Sequence, residues 1–166
     1  MGLNTKMYWR RAHKTAATAG ILLGMLSGMS AHAGETVSIK TPLGQTISAE
    51  KVSNPAKGTI EHQIIESLKM IRDGQFDAWR KSHCYPARCD TDIAWEQIKN
   101  FNLETSKKTA KFCLHEGDSI WVTKREENAK NPNVVKVFIS CGETRMPVPS
   151  THEKLKDKWY VQVFSW

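Results

Sequence analysis

The chain has 166 residues, 24 basic against 17 acidic, a formal net charge of +7 and 40% hydrophobic residues. That composition excludes a disordered tail and a multispan membrane protein, and the length fits one domain with a sizeable core. The apparent basicity is unevenly spread, and its position matters more than its size.

Residues 1–14 hold Lys6, Arg10, Arg11 and Lys14 with no acid, and an apolar run from Ala16 to Leu26 follows. Small residues at Ala31 and Ala33 then precede Gly34. A basic start, a short apolar core and an A-x-A box predict a secretory signal peptide over residues 1–33, cleaved after Ala33. The apolar core falls well short of the roughly 20 residues that a membrane span needs. With the leader removed, 20 basic residues face 17 acidic ones, a net +3, which gives no case for nucleic acid or an anionic surface. The expected localisation is the periplasm or the outside of the cell.

Next in the chain, Val37 and Ile39, the turn "TPLGQ", then Ile47 and Ala49 predict a small hairpin or extended arm, and "SNPAKG" reads as a linker. Residues 34–58 thus form an N-terminal piece ahead of a domain over 59–166. Thr59 is placed to cap a helix in which Ile60, Ile64, Leu68 and Ile71 recur at helical spacing. Asp73-Gly74 interrupts it. A shorter helix carries Phe76 and Trp79, and a third piece after Thr91 carries Ile93, Trp95 and Ile98. From Asn102 to Cys113 the pattern is ambiguous, with Leu103 and Lys107-Lys108 favouring a last helix.

After Gly117 the period changes to two. Ile120 and Val122 alternate with Trp121 and Thr123, and Val135, Val137, Ile139 and Cys141 alternate with Lys136, Phe138 and Ser140. Residues 145–149 read as a strand with restricting prolines. In the last run Trp159, Val161 and Val163 oppose Tyr160, Gln162 and Phe164. The polar stretches "REENAKNPN", "CGE" and "EKLKDK" separate these runs. Helices followed by a four-stranded or larger antiparallel meander predict an α+β domain with helices on one sheet face.

All four cysteines, Cys84, Cys89, Cys113 and Cys141, lie beyond the leader. An even count in an oxidising compartment implies two disulfides, of which Cys84–Cys89 and Cys113–Cys141 is the preferred pairing of three. A zinc site using Cys84, Cys89, Cys113 and either Cys141 or His115 has looser spacing than zinc knuckles show, and C-x4-C departs from the redox C-x-x-C pattern. No cofactor or metal is expected.

The segments "IRDGQFDAWRKSHC" and "VKVFISCGETRMPVP…KWYVQVFSW" resemble the nuclear-transport-factor-2-like, or cystatin-like, superfamily over Thr59 to Trp166. "DGQFDAW" is similar to its helix–Gly/Asp–helix corner and "DKWYVQVFSW" to its closing strand. The resemblance implies helices packed into the concave face of a curved antiparallel sheet, with the hairpin of 36–52 extra to the pattern. Its members include dehydratases, isomerases, polyketide cyclases, dimerisation modules and periplasmic assembly subunits, so it selects no function.

An enzyme of this fold needs ionisable groups in its apolar cone, and Asp77, His83, Tyr85, His115, Asp118 and His152 are the candidates. None has a spacing that dictates acid/base work, and each reads more simply as a solvated or packed side chain; His152 in particular reads as exposed. Trp79, Trp95, Met146 and Trp159 are expected to line the pocket or core. Trp121, Phe138, Tyr160, Phe164 and Trp166 are expected on the opposite sheet face, either as an interface or covered by Lys and Arg stems. The leading expectation is a non-catalytic binding or assembly module of the envelope, with a protein partner, self-association or a small ligand in the cone. An isomerase, dehydratase or cyclase is the alternative. Two convergent ionisable groups in an open pocket favour the enzyme; a pocket filled by Trp79, Trp95 and Met146 favours the module.

Overall fold

The computed structural model describes residues 34–143 and 145–165. The leader segment 1–33 and Trp166 therefore lie outside the described residues. The first hairpin pairs β1 (Glu35–Lys40) with β2 (Thr46–Val52). Helices α1 (Ile60–Arg72), α2 (Phe76–Ser82), α3 (Pro86–Cys89), α4 (Asp92–Gln97) and α5 (Glu104–Cys113) come next, with a π-helical turn over Ile98–Leu103. The chain then runs through β3 (Ile120–Asn128), β4 (Asn131–Ser140), β5 (Val148–Leu155) and β6 (Lys158–Phe164). All six strands form one antiparallel sheet in chain order. The hairpin is therefore part of the sheet: Glu50, Lys51 and Val52 pair with Val122, Trp121 and Ile120.

Local chemistry explains the helix boundaries. Thr59 Oγ1 accepts the His62 N–H at 3.2 Å and so starts α1, and Thr91 Oγ1 does the same for the Ala94 N–H at the start of α4. Gly74, at φ +71°, turns the chain out of α1, a backbone state that costs a glycine little. The face of α1 carrying Ile64, Leu68 and Ile71 is fully buried and shares one core with Trp79, Leu103, Ile120, Val137, Ile139 and Val161. In α4 only Trp95 faces in. Ile93, expected beside it, is 78% exposed, because residues two apart on a helix point in nearly opposite directions.

Two bulges reset the strand phases. Val122 stands opposite Ile139 but Lys124 opposite Phe138, which leaves Thr123 as an extra residue in β3. In β6, Val163 faces Thr151 and Val161 faces His152, which leaves Gln162 over. One extra residue moves every later side chain to the other face. Phe164 therefore leaves the outer face expected for it and joins the core side, edge-on to Trp79 with ring centroids 5.6 Å apart.

The last strand has a second neighbour. The Val161 N–H donates to the His83 carbonyl at 2.7 Å, and the Tyr85 N–H donates to the Val161 carbonyl at 3.0 Å. "HCY" thus covers the β6 edge, and the Cys84–Cys89 disulfide staples the short turn that follows. The second disulfide, Cys113–Cys141, ties the end of α5 to the end of β4 inside the core. No described helix is long and apolar enough to cross a membrane.

Candidate functional site

Three separate segments meet at a cleft of about 430 Å³. The first turns of α1 supply Thr59, His62, Gln63 and Glu66, preceded by Lys57 and Gly58. The end of α2 supplies Ser82 and the following His83. The β5–β6 turn supplies Asp157 and Lys158, and Trp159 follows as a half-buried wall. The pairing of β6 with residues 83–85 brings the last two segments together, and the shared core sets α1 against them.

Two nitrogens in this lining are buried without a hydrogen-bond partner among the described residues: His83 Nε2 and Gln63 Nε2. Their residues are 5% and 8% exposed. Ser82 fixes the tautomer of His83. Its single hydroxyl hydrogen points to the Ala78 carbonyl at 2.6 Å, so the same oxygen accepts from His83 Nδ1–H, also at 2.6 Å. The free Nε2 then carries a lone pair and accepts. The Gln63 amide nitrogen is a donor. A buried polar group without a partner costs about 1–3 kcal/mol, and both atoms lie behind the surface of the lining, closed to solvent.

Burial, with Lys158 and His62 adding to it and Glu66 opposing, pushes the His83 imidazole down to about 4. His152 lies deeper. It is fully buried, its Nε2 sits 2.6 Å from Ser150 Oγ, and its Nδ1 has no partner among the described residues. Burial and then the neighbouring His83 push it down to about 3. The expectation of an exposed His152 is therefore corrected. β5 extends through "THEKL", and its pairing puts Ser150 opposite Val137 and His152 opposite Val135 on the core side of the sheet.

No family model, no curated protein and no solved structure matches this chain.

The other expected site residues are dispersed. Trp79 is core, and its indole N–H donates to Ser67 Oγ at 2.6 Å. Trp95 is buried beneath the Arg80 guanidinium, 5.3 Å from its ring centroid. Met146, expected in the lining or core, is 48% exposed just ahead of β5. Asp77 is exposed, Tyr85 is half-buried, and Asp118 is held by Arg72 at 3.0 Å and Lys69 at 3.4 Å.

On the outer sheet face, polar side chains cover much of the aromatic surface. His115 stacks on Trp121 with centroids 3.7 Å apart and reaches the Ser140 carbonyl at 3.0 Å through Nε2. Lys124 and Lys136 lie over Phe138 at 5.9 and 6.0 Å, and Lys158 over Tyr160 at 5.1 Å. Among the described residues, no group of three His, Cys, Asp or Glu side chains is placed to hold a metal ion.

Sequence reasoning named His83 and Trp159 and missed His62, Gln63, Glu66 and Lys158. The helical period of α1 puts Gln63 on its buried face, and a buried amide there was the available signal.

Proposed function

We propose that this chain is an exported, non-catalytic binding module of the nuclear-transport-factor-2-like type, with its helices in the concave side of the sheet and its ligand in the cleft beside His83. The observation that carries the reading is the cleft of about 430 Å³ itself, where three separate segments bring His62, Gln63, Glu66, His83 and Trp159 together. A cleft of this volume suits a small molecule, and a few convergent polar groups suffice to orient one. Binding fits better than catalysis because a general base works best with a pKa near the operating pH. His83, pushed down to about 4, is a good hydrogen-bond acceptor at neutral pH and a poor base. The lysines and His115 over the outer aromatics weigh against that face as the main contact surface.

The test uses the exported protein and a small-molecule extract of the cells that make it. Nitrogen-15 NMR of the histidine rings is expected to show His83 shifting as the cleft beside it fills, with no molecule in the extract consumed. Turnover of an extract component overturns the non-catalytic reading, and an unchanged His83 overturns the cleft as the binding place. Export itself is checked by intact mass. The expected species begins at Gly34, and a secreted form retaining residues 1–33 is incompatible with the leader reading.

A further inference from the structure

The helix α4, the π-helical turn and α5 follow one another without a break, so Asp92 to Cys113 is one continuous helix. One side of it is buried through Trp95, Leu103, Ala110 and Cys113. The other side holds three large apolar side chains in the open, Ile93, Phe101 and Phe112, at 78%, 75% and 59% exposure. Ile93 and Phe101 are eight residues apart, about one more than two α-turns hold, and the wider π turn between them takes up the extra residue. Phe101 and Phe112 are eleven apart, close to three α-turns. The π turn thus sets all three in one row. A groove lined by Ile93 and Phe101 together with Asp92, Glu96, Gln97 and Asn100 agrees with that alignment.

A second row runs beside the first, in the order Asp92, Glu96, Asn100, Glu104, Lys108, Lys111. All six are exposed, and steps of three and four keep them on one flank. The row starts acidic and ends basic. No acid lies between Thr105 and Cys113, and Arg145, held by Thr109 at 2.9 Å, adds its charge over the Phe112 ring.

We propose that this helix is the contact between two copies of the chain, packed antiparallel about a two-fold axis beside Phe101. Such an axis brings the same flank of both helices together. Asp92 then meets Lys111 of the second copy, Glu96 meets its Lys108 and Asn100 meets its Glu104. In the apolar row Ile93 meets Phe112 of the second copy, and the two Phe101 rings meet at the axis. Each acid along the flank faces a lysine or an amide, so the row complements itself when reversed. Asp92 lies 3.1 Å from Arg80 and Glu96 3.9 Å from Lys99, both at the surface, where such pairs are worth little and yield to a facing lysine. The contact uses none of the residues that line the His83 cleft. One helix pair is small beside the roughly 1,600 Å² of a standard interface, so dimers are expected at micromolar concentrations.

Sedimentation equilibrium of the exported protein over a micromolar series is expected to show monomer and dimer in exchange. Glu96→Lys and Lys108→Glu are each expected to weaken the dimer roughly ten-fold or more, because symmetry turns each into two facing like-charge pairs. Both positions are exposed, so each variant is expected to melt near the wild type. Mixed in equal amounts, the two variants are expected to pair one-to-one about as tightly as the wild type, since every facing pair is again opposite in charge. A chain carrying both substitutions is expected to pair with itself for the same reason. Phe101→Ser, at the axis, is expected to weaken all of these dimers.

A wild type that stays monomeric throughout the series overturns the proposal. A dimer indifferent to both charge reversals places the contact elsewhere and overturns it too. So does a mixture of the two variants that fails to pair.

Discussion

Acidification from pH 7.5 to pH 4 is expected to lower the melting temperature by on the order of 15 °C, most of it between pH 6.5 and 4.5. His83 and His152 are neutral in the folded protein, pushed down to about 4 and about 3, whereas an unfolded histidine titrates near 6.5. Below 6.5 the unfolded chain therefore binds protons that the folded chain refuses. Stability is full above 6.5, falls as the pH drops, and levels off only below the folded values. Each tenfold difference in proton affinity between the folded and unfolded chain corresponds to about 1.4 kcal/mol. The two histidines interact, so their effects overlap, and a combined loss of about 5 kcal/mol is the reasonable scale against a total stability of about 5–15 kcal/mol.

Burial lowers His115 as well, in the same direction. The depressed carboxylates of Asp73 and Glu126, held by Arg72 and Lys124, act only nearer their own lower range, so the window above 4.5 belongs to the histidines. The groups bearing on His83 are Lys158, His62 and Glu66; the one bearing on His152 is His83. Melting curves at half-unit steps decide the matter, together with His83→Gln, which is expected to flatten the slope. A melting temperature that stays level down to pH 4.5 contradicts the burial of neutral imidazoles.

The second large effect concerns the disulfides. Cys113→Ala with Cys141→Ala is expected to destabilise more than Cys84→Ala with Cys89→Ala. The bridges span 28 and 5 positions, and chain entropy alone gives about 3.5 and about 2 kcal/mol. All four cysteines are buried, so loss of either pair also leaves space in the core, and loop length is what separates the two bridges. Ligand binding is expected to rank the other way. The short bridge sits next to His83, and its removal loosens the segment paired to β6. Chemical denaturation of both double variants, with the shift of the His83 ring nitrogens in the cell extract, reads the two orders separately. A greater loss of stability from the short-bridge variant sinks the loop-length argument.

Much of the fold was legible in the residues. The 3.6-residue spacing of Ile64, Leu68 and Ile71, the capping threonines and the period-two runs of β3 and β4 all report local geometry, and a single sequence carries local geometry well. Three features escaped for definite reasons. The strand read over 145–149 lies at Val148–Leu155, and its later part looked like a hairpin because its inward positions are Ser150 and His152, polar groups that burial tolerates through their mutual contact. The extra Gln162 inverts Phe164 with no mark in the alternation. Met146 reads as core by hydrophobicity alone, yet it stands in the connection ahead of β5. The cleft was less visible still. Its walls come from residues 57–66, 82–83 and 157–159, and nothing periodic connects segments so far apart.

The position of β6 also dictates when the protein becomes competent. A chain made or threaded across a membrane from its N-terminus presents α1 and His83 long before Asp157, Lys158 and Trp159 appear. Until then the carbonyl of His83 and the N–H of Tyr85 have no Val161 to meet, and Trp79 lacks Phe164. Neither the third wall of the cleft nor the closure of the sheet exists before Asp157 and the β6 residues that follow it arrive. A truncated chain, stalled or clipped ahead of Lys158, is thus a recognisably unfinished object, with a bare strand edge and an exposed tryptophan for quality-control proteases to read. Completion of the cleft and covering of the sheet edge thus depend on the same strand.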